Sequence, residues 1–319
     1  MHRCAREGNE NLCRLLLDHN ADVNIQDKDG CTPLHWCALK GNENICRLLL
    51  DHHADVNIQD KDRCTPLHLC VREGNEDLCR LLLDHNADVN IQDKDGCTPL
   101  HSCAREGNEN LCRLLLDHNA DANIQDKDGC TPLPSCARDG NENLCRLLLE
   151  HNADVNIQDK DGSTPLHLSA RRNRDCSKII DLLVKYGVQN LNIHDAEGLT
   201  PLQLAVRHYN SQAVKKLVDL GADVSVVTAD KKDARRLEFL KNVAEREKQH
   251  LKFEISSAQK VYKTENAPGV SSVPSTRKLT EAHLKSKKTL RQSSSYTTKG
   301  IDDEPEAPQP STVARGNPK

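Results

Sequence analysis

The apolar positions of the first 227 residues fall into short clusters at helical spacing, separated by polar turns. In one stretch, Thr32 suits a helix N-cap and Pro33 the first helical position, where a missing N–H costs nothing. Gly41 is expected to end this helix, because glycine reaches positive φ without a Cβ clash. The apolar positions that would face a neighbouring helix together are Leu34, Cys37 and Ala38.

A second helix is predicted from about Asn44. Its apolar stripe consists of Ile45, Cys46, Leu48 and Leu49. The segment that follows reads "NADVNIQDKDG" in other copies of the pattern, and its Asp and Gly residues indicate a tight turn. Each unit is therefore predicted to be two antiparallel helices and a projecting hairpin.

This unit repeats along the chain. The tetrapeptide "TPLH", with two variants "TPLP" and "TPLQ", recurs at spacings of 33, 33, 33, 33 and 36 residues, beginning at Thr32, Thr65, Thr98, Thr131, Thr164 and Thr200. Self-similarity at this period is the sequence signature of a repeat architecture. A two-helix unit cannot bury its apolar stripe alone, so the units are expected to stack on one another.

These residues resemble the ankyrin repeat, whose hallmark is "G-x-TPLH-x-A-x-x-G" followed by "LL…GADVN" at a 33-residue period. The resemblance covers residues 1–227, as one incomplete unit (1–26) and six complete ones that begin at Asp27, Asp60, Asp93, Asp126, Asp159 and Asp195. It implies an all-α, right-handed solenoid of helix-turn-helix units, with the hairpin loops and first helices on a concave face.

Four departures from the repeat stand out. The first unit lacks a hairpin and the Thr-Pro cap, which indicates either an abbreviated cap or a fragment of a longer chain; we favour the fragment. Arg63 replaces the hairpin glycine, at a cost of about 1 kcal/mol if positive φ is kept. Pro134 removes the N–H that Thr131 would have capped. The unit over 159–194 carries three extra residues and a diverged second helix.

Composition narrows the class of protein. The chain has 319 residues and a net charge of −4, but residues 230–319 carry 19 Lys and Arg against 12 Asp and Glu, or +7, which leaves −11 for residues 1–229. We expect an acidic body with a basic tail, and no general binding of nucleic acid. No apolar run is long enough to cross a membrane. No signal peptide is expected, and the fifteen cysteines are expected to be reduced. A soluble protein of the cytoplasm, with the nucleus as a second location, is predicted.

Two segments are predicted beyond the array of residues 1–227. Residues 230–262 contain no Gly or Pro and are rich in helix-forming residues. The segment 228–263 is therefore expected to form a charged helix that caps the last repeat, with a coiled-coil helix as the alternative. Residues 264–319 are basic and rich in Ser, Thr and Pro, so disorder is expected. Phosphorylation, contact with an acidic partner, nuclear import and a plain solvated linker all remain open for this tail.

Metal and enzyme chemistry find little support. Cys31, His35 and Cys37 do not have the spacing of a zinc site, and Cys37 and Cys46 are expected to be core residues. "DKDG" lacks the acidic residues that a calcium loop requires. No phosphate loop or nucleophile motif is present, so a protein that is not an enzyme, with no metal, cofactor or small-molecule substrate, is predicted. One column of cysteines before the Thr is either a tolerated small residue or a row of modifiable thiols: Cys31, Cys64, Cys97 and Cys130.

The resemblance places partner contacts on the hairpin tips and the exposed side of each first helix. The candidate residues are Lys28, Asp29, Cys31, Trp36, Leu39, Lys40, Lys61, Asp62, Leu69, Arg72, Glu73, Lys94, Asp95, Arg105, Glu106, Lys127, Asp128, Arg138 and Asp139. Trp36, the chain's only tryptophan, is expected to be exposed and to anchor a partner, with Leu39 and Leu69 extending an apolar spot. A solvated face kept by duplication is the alternative.

The resemblance also suggests hydroxylation of the hairpin asparagines by an oxygen-dependent dioxygenase. These are Asn24, Asn57, Asn90, Asn123 and Asn156. The function favoured by the sequence is a non-catalytic scaffold or adaptor that binds one or more proteins. The alternative is a fragment of a larger signalling, membrane-associated or ubiquitin-ligase adaptor protein whose effector domain lies elsewhere.

Overall fold

A computed structural model describes residues 1–172, 175–243, 245 and 249. These residues belong to one compact unit, Met1–Leu251. The predicted tail of 264–319 and the last part of the predicted extension of 228–263 lie outside the described residues, so both segment boundaries stay predictions.

The described residues form helices joined by turns, and no strand occurs among them. Seven helix pairs follow one another along the chain. They are α1 (His2–Glu7) with α2 (Glu10–Asp18), α3 (Pro33–Lys40) with α4 (Glu43–Asp51), α5 (Pro66–Arg72) with α6 (Glu76–Asp84), α7 (Pro99–Glu106) with α8 (Glu109–Asp117), α9 (Pro132–Asp139) with α10 (Glu142–Glu150), α11 (Pro165–Arg171) with α12 (Ser177–Lys185), and α13 (Pro201–Arg207) with α14 (Ser211–Asp219). A short helix, α15 (Ser225–Thr228), and a helical segment over residues 231–243 complete the described part.

The first helix of each pair begins as the sequence predicts. Thr32 is the N-cap of α3, Pro33 is its first residue, and Gly41 ends it with φ of 72°. His35 completes a capping box, because its Nδ1 accepts the backbone N–H of Thr32 at 3.0 Å. Both ends of this short helix are therefore satisfied by local side-chain and backbone bonds. The second helix, α4, begins at Glu43, one residue before the predicted start.

Stacking of neighbouring pairs builds one continuous apolar core. Each first helix packs on the first helices of the adjacent units, and each second helix packs likewise. Cys37 and Cys46 are fully buried between the two helices of their unit, as the sequence predicts, and the equivalent cysteines of the following units are also buried. Aliphatic side chains and small thiols thus replace aromatic residues as the filling of this core.

Backbone hydrogen bonds join the hairpins to one another. The N–H of Lys61 donates to the carbonyl of Asp29 at 3.0 Å, and the same bond recurs between Lys94 and Asp62 at 2.8 Å. A Cβ at Gly30 would lie 3.0 Å from the backbone nitrogen of Lys61, and Gly30 has φ of 80°. Arg63, at the equivalent position, keeps positive φ at 60°. The backbone strain expected from this substitution is therefore present.

The unit with Pro134 departs from the others where the sequence predicts it. Thr131 is the N-cap of α9, but its side chain makes no capping bond, and no capping box forms. The proline has no N–H to donate and no imidazole to return a bond. The start of α9 is therefore the least supported among the Thr-Pro helix starts of the array.

The helical segment over residues 231–243 packs on the last repeat. Leu237 and Leu240 are buried in the common core. Asp233 is only 1% exposed and accepts from two arginines: Arg207 Nε of α13 at 2.9 Å and Arg236 of its own segment at 3.0 Å. A buried carboxylate held by two guanidinium groups fixes this segment on the array.

Candidate protein-binding surface

The hairpin tips form a regular row of exposed charge. In successive units the tip carries one lysine and one aspartate, all of them exposed: Lys28, Asp29, Lys61, Asp62, Lys94, Asp95, Lys127 and Asp128. Among these side chains one ion pair spans two units, from Lys94 Nζ to Asp62 Oδ1 at 3.0 Å. Exposed pairs of this kind contribute little to stability, so the tip charges can be redirected to a partner at small cost.

The C-terminal ends of the first helices carry a second row of charge. Arg72, Glu73, Arg105 and Glu106 are exposed, as is Arg138. Asp139, in the next position, is half-buried, and its carboxylate contacts both Arg138 and Arg172. The residues of the predicted mixed-charge strip are thus exposed or half-buried, and their role as one partner-binding strip stays a prediction.

Trp36 occupies a more structured place than the sequence indicates. Its ring is half-buried, and its Nε1–H donates to Oδ2 of Asp27 at 2.9 Å. The guanidinium of Arg6, in the preceding unit, lies 5.5 Å from the ring centroid, within cation–π range. Burial raises the pKa of the Asp27 carboxyl, but the hydrogen bonds that it accepts from Trp36 and from two backbone N–H groups outweigh this effect, so the pKa is lowered. The expectation of an exposed ring is therefore met only in part, because the ring is half-buried, as is Leu39, whereas Lys40 is exposed.

Leu69 does not belong to this surface. It is only 6% exposed and contributes to the core of the array, so the predicted extension of the apolar spot to Leu69 is wrong. Leu39 is half-buried and packs against the core. The physical reason is that a leucine gains free energy by leaving water, and at this position its side chain belongs to the buried core cluster of the array.

The cysteine column before the Thr is half-buried rather than fully accessible. Burial, together with nearby aspartates, raises the pKa of Cys31 to about 12 and those of Cys64, Cys97 and Cys130 to about 11 each. A thiol with such a pKa carries little thiolate at neutral pH. All fifteen cysteines are free.

The hairpin asparagines hold consecutive units together. Oδ1 of Asn57 accepts the backbone N–H of Asp88 in the next unit at 2.8 Å, and Nδ2 donates to the carbonyl of Asn86 at 3.4 Å. The same acceptor bond is made by Asn24, Asn90 and Asn123. Asn156 lacks it, a difference that the sequence signals only through the extra residues that follow. Hydroxylation of these asparagines stays a prediction.

The sequence did not indicate that the histidine of "TPLH" also bridges units. Nε2 of His35 lies 3.0 Å from the carbonyl oxygen of Cys64 in the next unit, and the bond recurs from His68, His101 and His167. The recurrence of histidine at a 33-residue period was the available signal. Burial lowers the pKa of each of these imidazoles.

No group of three or more metal-ligating side chains occurs within the described part of the chain, and no described helix is long and apolar enough to cross a bilayer.

Stacked helix pairs with an exposed row of charged tips define a helical-repeat protein. A family model for ankyrin repeats matches residues 1–93, 85–159 and 152–228. The chain therefore belongs to the ankyrin repeat family, whose members are generally protein-binding modules and typically non-catalytic. No curated protein matches the chain.

Proposed function

We propose that this chain is a scaffold or adaptor that captures one or more partner proteins along its hairpin tips and first helices. The family supplies the general function, and the particular surface is the proposal. Because all fifteen cysteines are free, the protein would work where thiols stay reduced, in the cytosol or nucleus.

One observation carries the proposal: the hairpin tips are fixed to one another by their backbones, while their side chains are left exposed. The N–H of Lys127 donates to Asp95 O at 2.8 Å and that of Lys160 to Asp128 O at 2.9 Å, continuing the bonds nearer the N-terminus. A surface that is ordered before binding loses little conformational entropy on association. The row therefore suits an extended partner that carries both acidic and basic side chains.

Trp36 gives this row a local anchor. It is half-buried and held by Asp27 and Arg6, so its ring is already fixed in orientation. Tryptophan is among the residues most often found as energetic hot spots of protein interfaces. Ser102, at the equivalent position two units later, is also half-buried but offers no comparable contact area.

Affinity capture with the full chain tests the proposal, with Trp36→Ala and the matched control Ser102→Ala in parallel. A purified captured protein should bind Trp36→Ala more than tenfold more weakly, and Ser102→Ala with unchanged affinity. The Trp36 substitution also removes a hydrogen bond, so we expect about 1 kcal/mol lower stability, and binding is measured where both variants are folded. Equal retention by both variants would reject this surface as the site.

A further inference from the structure

The junction between the units at α9–α10 and α11–α12 contains a cavity of about 290 Å³. Its lining combines buried or half-buried aliphatic side chains with three exposed amide side chains. The lining residues are Val155, Asn156, Thr164, Leu166, Val188, Gln189, Asn190 and Ile193. Its volume lies at the lower limit for small-molecule pockets, so it suits a single side chain better than a larger ligand.

Two hydrogen-bonding groups that meet at the regular junctions are separated at this one. At the preceding junction, Oδ1 of Asn123 accepts the N–H of Asp154 at 2.7 Å. Asn190 is the equivalent of Asp154, because its Oδ1 accepts from Asn192 N at 2.9 Å just as Asp154 Oδ1 accepts from Asn156 N at 2.8 Å. The regular pattern would therefore join Asn156 Oδ1 to the N–H of Asn190.

That bond is absent among the described residues. Asn156 donates through Nδ2 to the carbonyl of Gly187 at 3.3 Å and to Asp154, but its Oδ1 accepts no protein hydrogen bond, and the N–H of Asn190 donates none. Both residues line the cavity. The regular pattern resumes one junction later, where Asn192 Oδ1 accepts the N–H of Asp223 at 2.8 Å.

Gln189 accounts for the difference. Val188 N–H donates to Leu183 O at 3.1 Å, as Ala153 N–H donates to Leu148 O at 3.0 Å, so Val188 and Ala153 are equivalent. Asp154 follows Ala153 directly, whereas Gln189 stands between Val188 and Asn190. The extra residue displaces the donor from the acceptor and leaves an open acceptor and an open donor beside the aliphatic side chains of the lining.

We propose that this junction is a peptide-binding site. A peptide backbone in extended form donates an N–H to Asn156 Oδ1 and accepts from the N–H of Asn190, and a neighbouring aliphatic side chain of the partner fills the cavity over Val155 and Leu166. A peptide is the occupant that fits, because the bond that is missing here is made, at the regular junctions, between a side-chain amide oxygen and a backbone N–H. The proposal rests on the proposed function only in naming a partner protein as the source of the peptide.

The test uses the full chain labelled with ¹⁵N and the probe N-acetyl-L-leucine N-methylamide, which carries two peptide groups and one aliphatic side chain. Saturable shifts are expected for the backbone N–H of Asn190 and the side-chain amide of Asn156. N-acetylglycine N-methylamide, which lacks the side chain, should bind several-fold more weakly.

Variants separate the site from general weak binding. Asn156→Ala should lower the affinity for the leucine probe about fivefold to tenfold, the effect of one lost hydrogen bond. Asn123→Ala, the matched change at a regular junction, should leave it unchanged, and deletion of Gln189 should abolish binding by restoring the regular bond. If the deletion variant does not fold, the Asn156 and Asn123 variants still decide the question.

Several outcomes would overturn the proposal: no saturable shift at Asn190, equal shifts around Asn123, or unchanged affinity in Asn156→Ala. These outcomes are independent of the capture experiment with Trp36→Ala. Partner capture that persists without probe binding would reject this site alone, whereas probe binding without dependence of capture on Trp36 would reject only the tip surface.

Discussion

Nε2 of His35 lies 3.0 Å from the carbonyl oxygen of Cys64, while Nδ1 of the same ring accepts the N–H of Thr32. A backbone N–H can only donate, so the ring must be neutral with its proton on Nε2. One imidazole thus caps its own helix and joins it to the next unit, and a second proton would break the cap.

The array should therefore lose stability in mild acid. Burial lowers the pKa of His35, His68, His101 and His167 in the folded state below the ordinary 6.5. The contribution of these neutral histidines to the free energy of unfolding is fully present above pH 6.5. It is lost as the pH falls from 6.5 through the lowered folded pKa, because the unfolded chain binds protons first. The slope is at most about 1.4 kcal/mol per pH unit for each histidine. Urea unfolding at pH 5 and 7.5 measures it.

The chain itself supplies the control substitution. Gln203 makes both bonds without titrating: its Oε1 accepts from Thr200 N at 2.9 Å and its Nε2 donates to Val226 O at 3.3 Å. Changing the four histidines to glutamine should preserve stability at pH 7.5 and flatten the fall toward pH 5. An unchanged pH slope in that variant would show that other groups cause it.

Removing the carboxylate of Asp233 should release the helical segment of 231–243 from the array. Arg207 and Arg236 would lose their common partner, and their partial exposure limits the cost of Asp233→Ala to about 2–3 kcal/mol. Hydrogen exchange should report lost protection of this segment before any loss in the array. Glu238→Ala, at an exposed position of the same segment, is the control and should change neither.

Two leucines at the same repeat position, one in the first helix pair and one in the second, should differ in their contribution to stability. Leu15 is 53% exposed in α2, whereas Leu48, at the same repeat position in α4, is 6% exposed. Leu48→Ala should cost about 2–3 kcal/mol and Leu15→Ala less than about 1 kcal/mol. Equal losses in chemical unfolding would mean that the face of α2 is covered in solution.

The two cysteine columns should react at different rates. Cys31, Cys64, Cys97 and Cys130 are half-buried, whereas Cys37 and its equivalents are fully buried. We expect iodoacetamide to modify the outer column first, slowly at pH 7.5 and faster at pH 9, because their pKa values are about 11 to 12. Peptide mapping by mass spectrometry measures this, and equal native-state rates for both columns would contradict it.

Much of the fold is determined by local sequence. Thr32, Pro33 and Gly41 fix the ends of a helix through bonds and dihedral preferences that involve few neighbours, and the 33-residue period then fixes the number and order of the units. The burial of Cys37 and Cys46 follows from the same helical spacing. Such features depend on residues close in sequence, so the sequence predicts them directly.

Only the tertiary structure decided the burial and the hydrogen bonds that depend on contacts with a neighbouring unit. Leu69 and Trp36 stand at equivalent positions and look equally available in the sequence, yet neighbouring helices bury one and Asp27 and Arg6 hold the other. The separation of Asn156 Oδ1 from the N–H of Asn190 likewise follows from how one extra residue, Gln189, is accommodated between two stacked units. Burial and pairing across units are set by packing in three dimensions, and repeat position alone does not specify them.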